Sequence, residues 1–243
     1  MRYIQLSIIL ITSFVKAQEV NFLDKNKEYH YKAVYIDKSG DTITNEKLIL
    51  WPLCKPWIGQ PWLQTAIRYK YHPNPEQYKN YIDPDDFFHK KDVRHLKRKG
   101  KIRAHRNETT GAIINENAFY IHPPRGNQYR MLFYAPHPWI HHGYYFDSIF
   151  PYHFQLRIYG VGIFHQIYNA TILPDTILFG RQVKMWELHV PSTGEIKERF
   201  VAKDMFNSTL DALFTREFGF IKMHYTFENG IRILFDLEKV VEL

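Results

Sequence analysis

The residues best equipped for chemistry lie between Ile121 and Gly143. His122, His137, His141 and His142 share that stretch with Arg125 and Trp139, and it runs on into Tyr144 and Tyr145. An imidazole titrates near neutrality, so His122 could act as a general base with Arg125 beside it as an anion clamp. The partners that such a base requires are missing from the sequence pattern. Ser148 sits in the run FDSIF and not in a G-x-S-x-G turn, and no paired-carboxylate or glycine-rich phosphate signature can be recognised. His137 and His141 have helical spacing, but Pro136 and Pro138 permit a helix only from about Pro138 onward, and Gly143 cuts it short. With no Cys pair and no H-E-x-x-H, His141, His142 and His153 are the nearest approach to a ligand set, and neither a metal nor another cofactor is expected.

Large amphipathic side chains at this density either fill a core against a sheet or line a groove. Packing is the main expectation. The functional expectation beside it is a binding face for an amphiphile or glycan, contacted by His122, Arg125, Trp139, His141, His142, Tyr144 and Tyr145, with no catalytic residue assigned.

The elements that must position these residues read as strands. Glu28 to Ile36 and Thr42 to Leu50 alternate in polarity around Asp37-Lys38-Ser39-Gly40-Asp41, as in a hairpin. Leu63 to Tyr71, Ala112 to Ile121 and Tyr129 to Tyr134 read as further strands, with Pro123-Pro124 and Gly126-Asn127 reversing the chain between the last two. Val183 to Val190 is expected to turn at Pro191-Ser192-Thr193-Gly194 into Glu195 to Ala202. Phe220 to Phe227 is expected to turn at Asn229-Gly230 into Ile231 to Val240, a strong hairpin signal. Hairpin after hairpin implies a mainly β fold. It would be an antiparallel meander curled into a half-barrel or folded into a two-sheet sandwich, with one or two short helices.

One helix is expected after Asp83-Pro84-Asp85-Asp86, where Asp83 caps and the acids face the positive end of the dipole. It leads into a concentrated cationic run. Residues 89–106 hold nine Lys or Arg against one Asp, so Lys90, Lys91, Arg94, Lys97, Arg98, Lys99, Lys101 and Arg103 are read as a surface for anionic lipid, glycan or another envelope component. Nucleic acid is not expected as a partner, since no zinc-finger, helix-turn-helix or RNP pattern occurs.

The first residues set the compartment. Arg2, the apolar run Ile4 to Val15 and the small residue Ala17 have the form of a secretory signal over residues 1–17, with cleavage near Ala17-Gln18. Residues 18–243 would then be one β-rich domain. The run is too short to span a bilayer, and no transmembrane segment is expected elsewhere. Losing Arg2 and Lys16 leaves 30 basic against 25 acidic residues, a mild charge of +5; the cationic run holds +8 of it, so the rest of the mature chain stands at −3. The single cysteine, Cys54, excludes an internal disulfide and reads as a small buried hydrophobe.

The closing segment, Asn207 to Phe214, Glu217-Phe218-Gly219-Phe220-Ile221-Lys222-Met223-His224-Tyr225, Asn229-Gly230 and Phe235-Asp236-Leu237, resembles the C-terminal end of secreted β-sheet proteins of Gram-negative bacteria, most of them uncharacterised. Ile121-His122-Pro123-Pro124-Arg125 is similar to another recurring element of such proteins. In outline the chain also resembles the half-barrel lipoprotein carriers of the periplasm. The resemblance carries over no catalytic residue; with the signal segment, the aromatic stretch and the missing nucleophile, the expectation is an exported, non-enzymatic binding or envelope-associated protein, periplasmic or extracellular. The alternative is a hydrolase acting on an envelope or glycan substrate through a His-based site.

Overall fold

The computed structural model describes residues 22–57, 64–72, 107–115, 118–141, 151–158, 161–196 and 207–243. Its strands are β1 Lys27–Ile36, β2 Thr42–Pro56, β3 Thr65–His72, β4 Glu108–Asn115, β5 Ala118–Ile121 and β6 Trp139–His141, followed by β7 Tyr152–Ile158, β8 Gly162–Leu178, β9 Arg181–Ile196, β10 Ser208–Thr215, β11 Gly219–Phe227 and β12 Arg232–Glu242. They form one 12-stranded sheet in the order β6-β5-β4-β3-β2-β1-β12-β11-β10-β9-β8-β7. All its pairings are antiparallel. The meander therefore begins and ends in the middle of the sheet, where β1 pairs with β2 on one side and β12 on the other.

Polarity alternation decides which face is concave. Tyr29, Tyr31, Ala33 and Tyr35 of β1 are buried, as are Leu48 and Leu50 of β2 and Met223, Tyr225 and Phe227 of β11, while the residues between them are more open. Period-two burial on strand after strand bends the sheet around a single core. Irregular register at His30/Tyr31, Pro52/Pro56, Leu173/Thr176 and Leu213/Phe214 adds local twist, which an extended flat ladder lacks. The curl is deep: the Phe119 ring of β5 lies 4.8 Å from the Phe214 ring of β10, although six strands lie between them in the sheet order. Of the two architectures expected, the structure is the curved open sheet and not a sandwich.

A 3-10 helix, Asn127–Phe133, crosses one end of the concavity. Strand character was expected over Tyr129 to Tyr134, but the segment buries Gln128, Tyr129, Met131 and Leu132, a spacing near three that suits a 3-10 turn. Tyr129 Oη donates to Glu46 Oε1 at 2.6 Å, and Gln128 Nε2 donates to the same oxygen. Burial raises the Glu46 carboxyl above its ordinary value, against the opposing effect of those two donors.

Other expectations also shift. Ala112 to Ile121 is not one strand but two, β4 and β5, paired Ala112↔Ile121 and Asn115↔Ala118. No turn occurs at Pro191-Ser192-Thr193-Gly194. Strand β9 runs straight through it, because Ser192 and Thr193 pair with Gln166 and His165 of β8 while Ser192 also pairs with Ser208 of β10. Neighbours on both sides override the local turn chemistry. Cys54 is exposed, at φ 47 inside the β2 irregularity, and its thiol faces the Leu23 carbonyl at 3.4 Å. The expected signal segment, the helix after Asp83 and the cationic run all lie outside the described residues.

The Asn229-Gly230 turn is present. Gly230 has φ +91, Gly230 N–H donates to the Phe227 carbonyl at 2.9 Å and Phe227 N–H to that of Ile231 at 2.9 Å. Gly230→Val should cost roughly 1 kcal/mol or more, since a β-branched residue resists positive φ. A melting curve checks this: an unchanged midpoint would contradict the turn's role.

Candidate functional site

The two ends of the sheet, β6 and β7, face one another through side chains. Trp139 of β6 stands edge-on to Tyr152 and Phe154 of β7 at 5.5 and 5.3 Å, and to Tyr168 of β8 at 5.9 Å. Tyr168 Oη then donates to the His137 carbonyl at 3.0 Å, just ahead of β6. This aromatic seam closes the curl where, among the described residues, β6 and β7 have no backbone pairing. It is also partly open. Tyr152 is 37% exposed, and Trp139 and Phe154 are half-buried, so part of each ring reaches solvent where the two sheet edges meet.

Behind the seam is a cluster of ring nitrogens. Tyr120 and His122 share a face at the end of β5, and the Tyr120 hydroxyl lies 3.0 Å from His122 Nδ1 and 2.7 Å from His137 Nδ1. The two imidazoles are 5.0 Å apart. A phenol can give its proton to one neutral imidazole and accept from the other, so the arrangement suits a neutral pair. Burial pushes the His122 imidazole down to about 3, with the positive charge of Arg125 acting in the same direction. His137 is lowered as well, first by enclosure of its ring and then by His122 and Arg125. Its Nε2 has no hydrogen-bond partner among the described residues.

Arg125 closes the cluster by binding its own loop. Its backbone N–H donates to Glu108 Oε2 at 2.7 Å, its guanidinium donates to Thr110 Oγ1 at 2.7 Å, and its Nε lies 3.5 Å from Glu108 Oε1. Tyr71 Oη donates to the same carboxylate at 3.0 Å and accepts the Gly126 N–H, also at 3.0 Å. The HPPRG segment is thereby locked to β3 and β4, and the Tyr69 hydroxyl donates to the His122 carbonyl at 2.7 Å. Glu108 is the acidic partner of Arg125 in this loop.

The structure thus brings His122, Arg125 and Trp139 to one end of the curl, with Tyr120 and His137 as members that sequence spacing did not link to them. Tyr120 and His122 do sit two apart in a strand, which places them on one face, but the approach of His137 depends on the 3-10 crossing. His141 ends β6 opposite Ala118, and its side chain is outside the description, as are His142, Tyr144 and Tyr145. His153 lies elsewhere, in a shallow open groove of about 200 Å³ on β7, β8 and β9 with His165, Ile167 and Thr193. On strands β9 to β12, His189 and His224 are each 2.7 Å from a carboxylate, Asp211 and Asp236. Among the described residues no three His, Cys, Asp or Glu side chains converge as a metal would require, and no helix is long and apolar enough to cross a membrane.

No protein-family model matches the chain, and no curated protein does. One solved structure is similar in outline, that of a "putative lipoprotein" from Parabacteroides distasonis. The alignment covers 91% of this chain and 98% of that one, at 7% identity and a TM-score of 0.44.

Proposed function

We propose that the protein is an exported, non-enzymatic, envelope-associated binding protein, periplasmic or extracellular, whose single β-rich domain over residues 18–243 holds an amphiphile or glycan against the aromatic seam. The observation that carries this reading is the Trp139–Tyr152–Phe154 contact set. Rings held edge-to-face across two sheet edges, with Tyr152 37% exposed, offer a preformed apolar surface to a sugar face or an acyl chain. The histidine cluster supports binding over hydrolysis. A base held down to about 3 is a poor proton acceptor at neutral pH, and the hydroxyl nearest to it is a buried phenol whose ionisation burial itself opposes.

Trp139→Ala is expected to weaken binding of lauric acid or a cello-oligosaccharide, whichever the wild type binds, by about tenfold or more, since it removes the central ring of the seam. Calorimetric titration of both proteins is the check. Equal affinity in the two would remove the seam from the account. The cationic run is proposed as a second, electrostatic contact to the envelope. Replacing Lys97, Arg98 and Lys99 by Gln should leave the melting midpoint nearly unchanged and reduce low-salt co-sedimentation with anionic vesicles, by about 1 kcal/mol per charge at most. Unfolding of that variant would mean that these cations are paired inside the protein.

A further inference from the structure

The two longest strands, β8 and β9, outrun the sheet. Strand β7 pairs with β8 no further than Tyr168, and β10 pairs with β9 no further than Met185. Their ladder nevertheless continues to Leu178↔Arg181. The result is a two-stranded arm past the rim, and its end is apolar: Ile177 is 77% exposed and Phe179 44%.

The turn at the end of the arm is unusual. Phe179 and Gly180 have φ 48 and 74, the positive pair that a two-residue type I′ loop needs. Asn, Asp or Gly fills the first of those positions at little cost, whereas a bulky aromatic residue there is strained. A strained Phe at an exposed tip is a reason to look for what the tip meets. Part of its ring rests edge-on against Phe218 at 5.1 Å, and the remainder is in solvent.

Two features say what kind of surface it meets. Pro174 lies in the irregularity of β8, on the edge that β7 leaves uncovered, and it has no N–H to give, so another strand cannot extend the ladder there. Arg181 and Lys184 are exposed directly behind the tip, against Asp175 as the one acid of the arm between Ile172 and Met185. An apolar tip with a cationic collar matches a layer that is apolar inside and anionic at its face.

We propose that the β8–β9 arm docks on an anionic lipid bilayer, with Ile177 and Phe179 entering the headgroup boundary and Arg181 and Lys184 meeting lipid phosphates. This contact rests on the envelope reading, but it uses residues of neither the seam nor the cationic run, so it fails or stands by its own measurement.

The test labels position 177. In the full chain carrying Cys54→Ser, either Ile177→Cys or Ser39→Cys is coupled to a nitrobenzoxadiazole fluorophore. Ser39 lies in the β1–β2 turn, which the antiparallel topology puts at the opposite end of the strands. Vesicles of phosphatidylcholine with one-third phosphatidylglycerol should blue-shift the emission at 177 and raise it several-fold, leave the label at 39 unchanged, and act weakly without the anionic lipid. Phe179→Asn suits the turn better than Phe, so it should stay folded while vesicle affinity falls about tenfold. Arg181→Gln with Lys184→Gln should lower the preference for anionic vesicles about five- to thirtyfold. An unshifted label at 177, whether or not the protein sediments with the vesicles, would overturn the proposal, as would an equal shift on pure phosphatidylcholine.

Discussion

Phe214→Ala is expected to destabilise the protein by about 3–5 kcal/mol, the range for emptying a large aromatic site in a packed core. Phe214 is fully buried, and rings from four directions meet it. Phe119 of β5 lies at 4.8 Å, Phe220 of β11 at 5.0 Å, Trp186 of β9 at 6.0 Å, and Phe22, ahead of β1, at 6.5 Å. It is one of the residues through which the far halves of the sheet touch, so its loss removes dispersion contacts on both walls at once. Collapse into the space is hindered because the walls are held by separate backbone ladders. A urea titration at neutral pH measures the cost. A loss below about 1 kcal/mol would mean that the curl does not depend on this cross-sheet contact.

Acid is expected to act almost as strongly. His122 in the fold is down to about 3, against an ordinary value of 6.5, so the unfolded chain binds the proton first. A lowered folded value means that the contribution is fully present above about pH 6.5 and is lost as pH falls toward 3. At pH 4 this amounts to about 3 kcal/mol for His122 alone. His137, lowered by the same enclosure, adds in the same direction, and so does His30 more weakly. Glu46 opposes them: its raised carboxyl favours the neutral form, so lowering the pH through its range adds stability. The groups facing the two rings are Tyr120 and Arg125, and protonation would put a cation beside the Arg125 charge with only one phenol oxygen to receive two N–H donors. His122→Asn should therefore be less stable than wild type at pH 7 and show a shallower loss from pH 7 to pH 4. Parallel stability curves for the two proteins would show that His122 is not held neutral by the fold.

How much of this was legible in the sequence depended on whether the deciding interaction was local. The alternation of Glu28 to Ile36 and the Asn229-Gly230 turn are set by residues within a few positions, and both appear where expected. Pro191 to Gly194 has turn composition but lies between β8 and β10, and two ladders outweighed it. A two-residue loop falls instead at Phe179-Gly180, whose first residue is a poor turn former and gave no signal. At the site, His122, Arg125 and Trp139 were visible as residue types. Their grouping with Tyr120 and His137 was not, because it depends on a 3-10 crossing and on the meeting of β6 and β7, which are near in the chain but stand at opposite ends of the sheet order. Cys54 was misplaced for a related reason: an irregularity flanked by Pro52 and Pro56 turned it outward.

The measurement closest to the central claim is a native mass spectrum of the protein purified from its own source, beside Trp139→Ala purified in the same way. The account predicts a wild-type species heavier than the polypeptide by one amphiphile or glycan, which dissociates on collisional activation, and its loss or sharp reduction in the variant. A wild-type protein that travels only at its polypeptide mass, or a variant that retains the same adduct in the same proportion, would contradict a binding face at the aromatic seam.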